Sequence, residues 1–226
     1  MKKLLTKILF IFFFCNTLYA LPIPDNNKAK FDIIRKNKVI GSHIIDFKKN
    51  DDSLIIETNI NINVKVLFIP AYKFFHKSEE VWRNGKFLKI DAYTDFEDER
   101  EYFIKGKVEG DQFLASGMDG DISVNKNILP SNFWNINILK EKKLFDTQKG
   151  IIRKIIVKDL GSEEIRIDDK KIYCKKFSFN ASSNPKDKGP FPEYTLWYSK
   201  EDELIKFKFR NWKDNKIVSI IRNYQD

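Results

Sequence analysis

Cysteine is scarce in this sequence, and its scarcity excludes several kinds of stabilising link and catalytic site. Cys15 and Cys174 are the only cysteines among 226 residues. Cys15 falls in a segment that we expect to be removed, so an internal disulfide bond is excluded and stability must come from an apolar core. Cys174 lies in an alternating strand pattern and is interpreted as a packed small side chain rather than a nucleophile.

Histidine and glycine are also rare, which argues against the common catalytic and cofactor motifs. The two histidines are His43 and His76, and the nine glycines form no phosphate-binding loop. No H-x-H, H-x₃-H or C-x₂-C spacing supports a metal site, and no G-x-S-x-G motif supports a serine nucleophile. We therefore predict neither a metal site nor a cofactor.

Long apolar runs are confined to the N-terminus. Lys2, Lys3 and Lys7 precede an apolar run from Ile8 to Cys15, and Ala20 occupies the expected cleavage position. This pattern is typical of a secretory signal peptide. The run is shorter than the about 20 apolar residues that span a bilayer. We expect residues 1–20 to be cleaved near Ala20, which leaves a periplasmic or secreted protein without a transmembrane segment.

Charge is plentiful but is not gathered into one block. The formal net charge is +9, and the lysines are spread along strands and turns. Dispersed lysines of this kind do not make the basic patch that nucleic acid requires, so we predict no nucleic-acid partner. Residues 21–30 are expected to form a flexible lead-in, and residues 31–226 a single β-barrel-like domain. We expect a monomer.

Hydrophobic periodicity has a period of two along almost the whole chain. Its clearest example is the segment from Leu54 to Val66, where apolar and polar side chains alternate. Such alternation indicates an antiparallel sheet with one buried face. The dipeptide Asn84-Gly85 predicts a tight hairpin, because both residues tolerate positive φ. The segment from Leu129 to Asp146 breaks the period and predicts one short helix, with Ser131 as its N-cap.

These patterns together predict a mainly β fold. We expect a single strongly curved antiparallel sheet of about a dozen strands, forming an open or closed barrel. The one short helix would cover or plug that barrel. The concave face of the sheet is then the natural place for a site.

One strand carries an unusual mixture of aromatic and titratable side chains. Tyr72, Phe74, His76, Glu80 and Trp82 share one face by period two. A charge in such a place needs a partner, so His76 and Glu80 are candidates for a catalytic acid–base pair. A buried network that only fixes the strand register or lines a ligand is the favoured alternative. The opposite orientation, with Phe75 and Val81 inward, is also possible, but the side-chain area of Tyr72, Phe74 and Trp82 favours the first. The full set of predicted ligand-lining residues is His43, Tyr72, Phe74, His76, Glu80, Trp82, Trp134 and Trp197.

Several short motifs carry a family resemblance. They are Gly41-Ser42-His43, Phe68-Ile69-Pro70-Ala71-Tyr72, His76 with Glu80 to Gly85, Leu129-Pro130-Ser131 and Leu196-Trp197-Tyr198. In this order they resemble an uncharacterised family of secreted proteobacterial proteins, over a range from about Phe31 to the C-terminus. The resemblance implies export and no defined activity. At the level of architecture, the chain is more distantly similar to the lipoprotein-carrier fold of the bacterial periplasm.

The functional expectation rests on the export signal, the curved sheet and the aromatic content. The chain has 20 Phe, 8 Tyr and 4 Trp, more aromatic area than the interior of a small barrel easily absorbs. We predict an exported periplasmic protein that binds an apolar or amphipathic, lipid-like small molecule in the concave face of its sheet. The alternatives are a small-molecule enzyme that uses His76 and Glu80, or a structural component of the cell envelope.

Overall fold

The computed structural model describes residues 21–66, 69–96 and 100–225, and these residues form one sheet of fifteen strands. The predicted signal peptide lies outside the described residues. In chain order, the strands β1 to β15 are Lys28–Arg35, Lys38–Asn50, Ser53–Val66, Ile69–Arg83, Lys86–Phe96, Glu101–Glu109, Gln112–Gly117, Gly120–Asn125, Leu129–Pro130, Lys143–Asp146, Ile151–Ile167, Lys170–Ala181, Tyr194–Tyr198, Leu204–Arg210 and Ile217–Asn223.

The first and last strands of the chain pair in the middle of the sheet. The spatial order is β8-β7-β6-β5-β4-β3-β2-β1-β15-β14-β13-β12-β11-β10-β9. The pair β1 and β15 is antiparallel, as is every other neighbouring pair except β9 with β10. All remaining neighbours are consecutive in the chain. The sheet therefore consists of two series of hairpins that are joined by the pairing of the two terminal strands.

Local turn chemistry sets the register of the hairpins. The turn between β4 and β5 is Asn84-Gly85, with φ values of 50° and 71°, and it brings Arg83 opposite Lys86. Positive φ at both central residues gives a two-residue turn whose twist matches that of the flanking strands. The hairpin predicted at this position is confirmed.

The segment between β8 and β10 crosses the concave face without an α-helix. The predicted helix is wrong: the described residues contain no α-helix, and the segment holds only a 3₁₀ turn at Ile136–Lys140. Asn135, not Ser131, caps this turn through a side-chain bond from the N–H of Asn137. Asparagine side chains compete for backbone groups and disfavour a helix interior. Among the described residues, no helix is long and apolar enough to cross a membrane.

The sheet is open, so a closed barrel is not formed. Its two outermost strands are β8 and β9, which do not pair with each other. The two halves nevertheless meet through turns, because the N–H of Met118 donates to the carbonyl of Lys149 at 2.7 Å. A Cβ atom added to Gly117 would lie 2.5 Å from the Cα of Gly150. The crossing segment and this close approach fill the space that a barrel would enclose.

A single large apolar cluster lies between the concave face and the crossing segment. We call it the central cluster, and its largest fully buried side chains include Trp82, Phe31, Phe113 and Phe145. Residues 21–30, predicted as a flexible lead-in, run along this core: Leu21 and Ile23 pack against it, and β1 already begins at Lys28. The apolar side chains of the lead-in thus find a packing surface.

Candidate functional site

The predicted face of β4 does point into the molecule. The sheet register places His43 opposite Ile60, Ile60 opposite His76, and His76 opposite Thr94. Directly opposed residues share one face of a sheet. One strand, β3, lies between the two histidines, so two interstrand spacings separate them by about 10 Å. The structure thus brings His43 and His76 into one row across the concave face.

His76 is buried and satisfied by a neighbouring strand. It is 2% exposed, and its Nδ1 lies 2.8 Å from the hydroxyl oxygen of Thr94. Burial lowers the pKa of His76 to about 4. Because removing a cation from water is costly, the imidazole is neutral at neutral pH.

His43 lies in an aromatic environment. Its ring centroid is 5.5 Å from that of Phe31 and 6.1 Å from that of Phe207, and its ring nitrogens form no hydrogen bond with the described part of the chain. Burial, and then the nearby His76, lowers the pKa of His43 to about 3. The two histidines are therefore neutral, aromatic-like members of the concave face.

Glu80 is the one carboxylate of the predicted set, and it is buried. It is 1% exposed, and its Oε2 accepts a hydrogen bond from the indole N–H of Trp82 at 2.8 Å. The side-chain amide of Asn132 donates to Oε1 at 2.7 Å and to Oε2 at 2.9 Å. Burial raises the pKa of Glu80 to about 7, although the bonds from Trp82 and Asn132 act in the opposite direction. The carboxyl group thus anchors the crossing segment to β4.

His76 and Glu80 do not form an acid–base pair. They are four residues apart on an extended strand, which separates their Cα atoms by about 13 Å. Each engages different partners, Thr94 for His76 and Trp82 with Asn132 for Glu80. A general base has to reach its proton within hydrogen-bond distance, and both of these groups are sealed in the interior. The geometry therefore does not support the predicted catalytic role.

The predicted aromatic residues separate into three places. Trp82 and Trp134 stack edge to face at 5.4 Å in the central cluster. Phe74 and Tyr72 lie nearer the end of the concave face, where Phe74 contacts Phe96 at 5.2 Å. Trp197 lies on the opposite, outer face of the sheet and is 2% exposed. It is therefore not part of the concave face with which it was grouped.

One end of the concave face carries half-buried aromatic side chains that we call the aromatic rim. Tyr194 faces Phe209 across β13 and β14, with ring centroids 5.2 Å apart. Burial, and then the nearby Asp146 and Tyr72, raise the pKa of Tyr194. The rim comprises Tyr72, Phe96, Tyr102, Phe191, Tyr194 and Phe209.

An ionic network closes the rim on one side. Arg153 donates from Nε to Asp146 at 2.6 Å and from Nη1 to Asp187 at 3.0 Å, and Lys149 also pairs with Asp187. Burial acts to raise the pKa of Asp187, but the bonds from Arg153, the Asn184 N–H and Lys149 lower it to about 2. The cations also stack on the rim: the Lys149 ammonium lies 5.4 Å from the Phe96 ring centroid.

Sequence reasoning missed this network. Arg153 lies opposite Leu144 in the hairpin of β10 and β11, so its closeness to Asp146 is a local consequence of register. Asp187 comes from the turn-rich loop at 182–192, and no periodicity or motif connects that loop with Arg153. Only the folded chain brings them together.

Two depressions in the surface lie away from His76 and Glu80. A groove of about 550 Å³ crosses the outer face of β5 to β8 and is lined by Lys89, Lys105, Lys107 and Leu114 among others. A much smaller one, of about 10 Å³, lies beside Pro22 and Trp134. His43, His76 and Glu80 also do not converge on a common point as metal ligands, and no other group of three such side chains does so in the described ranges.

Comparisons with known proteins bear on the fold. Residues 31–222 match the model of a family described as a domain of unknown function (DUF6134). No curated protein is significantly similar to this chain. A β-barrel-like protein from Brucella abortus, itself described as a domain of unknown function (DUF1849), is 10% identical with a TM-score of 0.60, and the match covers 87% of this chain and 94% of that one. This likeness shows a shared fold.

Two further solved structures are less similar. A candidate exported protein from Bacteroides fragilis, with a YmcC-like fold, is 9% identical with a TM-score of 0.39, over 89% of this chain and 96% of its own. A candidate lipoprotein from Parabacteroides distasonis is 12% identical with a TM-score of 0.39, over 89% and 96% of the two chains.

Proposed function

Because the chain belongs to the DUF6134 family, whose description states no activity, we propose a function from its own geometry: it is an extracytoplasmic protein that binds an amphipathic small molecule at the aromatic rim. The apolar part of the ligand lies between the half-buried rings of the rim. Its polar part faces the solvent at the strand ends.

The observation that carries this proposal is the incomplete burial of six aromatic side chains at one end of the concave face. Rings such as Phe209 and Tyr194 keep part of their surface accessible, although they contact one another at 5.2 Å. Apolar area that stays in contact with water costs about 25 cal/mol per Å² relative to burial. A ligand that covers these rings recovers that free energy.

In the described part of the chain no unpaired charge lies beneath the rim, which suits an amphipathic rather than a charged ligand. His43 and His76 have lowered pKa values and are neutral at neutral pH. The cations at the edge, such as Lys149, already have the Asp187 carboxylate as a partner. The extracytoplasmic location in the proposal is supported by the lysine-led apolar run that precedes Ala20.

Catalysis is not proposed, because the acid and the base would have to act from sealed positions about 13 Å apart. The central cluster fills the deeper part of the concave face. The rim is therefore the part of the concave face that a ligand can reach.

A fluorescent apolar probe tests the proposal directly. The uncharged dye N-phenyl-1-naphthylamine is titrated into wild type, Phe209→Ala and Phe103→Ala. Phe103 is the matched control, because it is an aromatic residue that is 69% exposed on the outer face. We expect wild type and Phe103→Ala to bind alike, and Phe209→Ala to bind roughly tenfold more weakly, since a buried aromatic contact is worth over a kcal/mol. Absence of dye binding to wild type, or equal losses in both variants, would refute the proposal.

A further inference from the structure

The outer face of the sheet holds a tryptophan surrounded by three lysines. The ammonium nitrogens of Lys176, Lys206 and Lys208 lie 5.4, 5.1 and 5.3 Å from the ring centroid of Trp197. Lys176 and Lys206 flank Trp197 on the two neighbouring strands. Lys208 is two residues beyond Lys206 on β14 and therefore shares its face. This lysine cluster lies on the face of the sheet opposite to the aromatic rim.

The positive charge of the lysine cluster is not balanced by the residues around it. Glu163 is its carboxylate, which accepts from the Trp197 indole N–H at 2.6 Å and pairs with Lys176 at 3.1 Å. Lys206 and Lys208 are half-buried, and neither forms an ion pair with any residue in the described ranges. Some other cations of the sheet surface do have a carboxylate partner, as Lys48 has Glu57 at 2.6 Å.

Burial and a neighbouring like charge both act on the amine of Lys206. Burial, and then the neighbouring Lys208, lowers the pKa of Lys206. Like charges on adjacent same-face positions of a strand repel each other, and the indole ring shields them from water on one side. An anion placed between the two ammonium groups would remove this repulsion.

We propose that the lysine cluster is a binding site for a compact oxyanion of the phosphoryl type, held between the ammonium groups of Lys206 and Lys208. Lysine acts on phosphate as a point charge with three donors, and such charge-assisted bonds are the strong ones. Thr195 and Ser219 lie directly opposite Lys208 on its two sides and share its face. Their hydroxyl groups supply further donors beside the anion.

The same chemistry is offered by free phosphate and by the headgroup of an anionic phospholipid. Two measurements distinguish these sources. Isothermal titration with inorganic phosphate at low ionic strength reports the free anion. Sedimentation with phosphatidylglycerol vesicles, compared with phosphatidylcholine vesicles, reports the headgroup on a surface. Low salt is required because screening weakens contacts between exposed charges.

The decisive comparison uses two double variants of equal charge. Lys206→Gln with Lys208→Gln removes the unpaired ammonium groups. Lys105→Gln with Lys107→Gln removes two lysines at the same spacing on β6, which have Asp91 at 3.9 Å and Glu109 at 2.5 Å as partners. We expect the first variant to bind at least about tenfold more weakly and the second to keep wild-type affinity.

If the Lys206 and Lys208 variant loses phosphate binding, the free anion is a sufficient ligand. If it loses only vesicle binding, the ligand is the lipid surface. Either result supports the site. The site is refuted if wild type binds neither probe, or if both double variants lose binding equally. Glu163→Gln provides an independent test. It removes the carboxylate that competes with the anion for the lysines, so it should tighten anion binding. Dye binding at the aromatic rim should be unchanged in the Lys206 and Lys208 variant. The experiments therefore test the aromatic rim and the lysine cluster independently.

Discussion

The side-chain amide of Asn132 donates to both carboxyl oxygens of Glu80, at 2.7 and 2.9 Å. This contact joins the segment that crosses the concave face to strand β4, across 52 positions of sequence. The Oδ1 of Asn132 and the Nε1 of Trp134 are both buried here without a hydrogen-bond partner in the described part of the chain. The junction is therefore sensitive to the protonation of Glu80, because a protonated carboxyl can donate to an acceptor such as this Oδ1.

Replacement of Glu80 by glutamine should flatten the dependence of stability on pH. Glu80 has a pKa of about 7 in the folded protein, against an ordinary value of 4.5. The folded state therefore holds more protons between these values, and stability falls as pH rises from about 4.5 to 7, by at most about 1.4 kcal/mol per pH unit. Glutamine does not titrate, so Glu80→Gln should gain stability relative to wild type as pH rises. Urea unfolding between pH 5 and pH 8 measures this.

The control for this variant is the preceding residue of the strand, Glu79. Glu79 is exposed on the outer face, so Glu79→Gln should follow the wild-type profile. If Glu80→Gln and wild type keep parallel profiles across the range, Glu80 does not titrate where we expect.

The two histidines should respond differently to the same substitution. His43→Phe keeps the aromatic contacts with Phe31 and Phe207, so it should change stability by less than about 1.5 kcal/mol at neutral pH. His76→Phe leaves the hydroxyl of Thr94 buried without its partner, which costs about 1–3 kcal/mol. Chemical denaturation at pH 7 compares them, and equal losses would contradict the assignment of partners.

The same two groups predict acid sensitivity. Both folded-state pKa values lie below the ordinary value of 6.5, at about 3 for His43 and about 4 for His76. The unfolded chain therefore takes up protons first, and stability is lost as pH falls from about 6.5 toward these values. His43→Phe should weaken this acid dependence. An unchanged slope between pH 6.5 and pH 4 would show that folding does not lower the pKa of His43.

Alanine at Gly150 should destabilise the protein more than alanine at Gly110. Both glycines have positive φ, 67° and 58°, so each substitution carries a backbone strain of about 1 kcal/mol. An added Cβ at Gly150 would also lie 2.7 Å from the Cα of Gly117, whereas at Gly110 nothing lies within 4 Å. The difference in melting temperature between the two variants measures the cost of disturbing the contact between the two sheet halves. Equal melting temperatures would mean that the contact between Gly150 and Gly117 does not contribute to stability.

Much of the fold could be predicted because its determinants are local. Alternation in β3 and the Asn84-Gly85 turn each depend on a few adjacent residues, and the structure confirms both. The inward orientation of His76 and Glu80 also follows from period two, since the larger aromatic residues share their face. The same strand geometry, an advance of about 3.3 Å per residue, already separates the two groups too far for a catalytic pair.

The helix at 129–146 could not be predicted correctly from spacing alone. Trp134, Ile138 and Leu144 are all buried, as an amphipathic helix would require, but an irregular crossing buries them equally well. The crossing also has to place Asn132 as a donor against Glu80, a demand that helical spacing does not reveal. That demand arises from a strand far away in sequence.

The sequence by itself determined that this chain is a β protein whose strands have one solvent-exposed face and one apolar face. Those features follow from the period of two and from turn residues, which act over a few positions. Tertiary structure alone decided that β1 pairs with β15, that the sheet stays open, and that Trp197 lies on the outer face among Lys176, Lys206 and Lys208. Pairing of distant strands depends on which surfaces pack together, and periodicity carries no information about that choice.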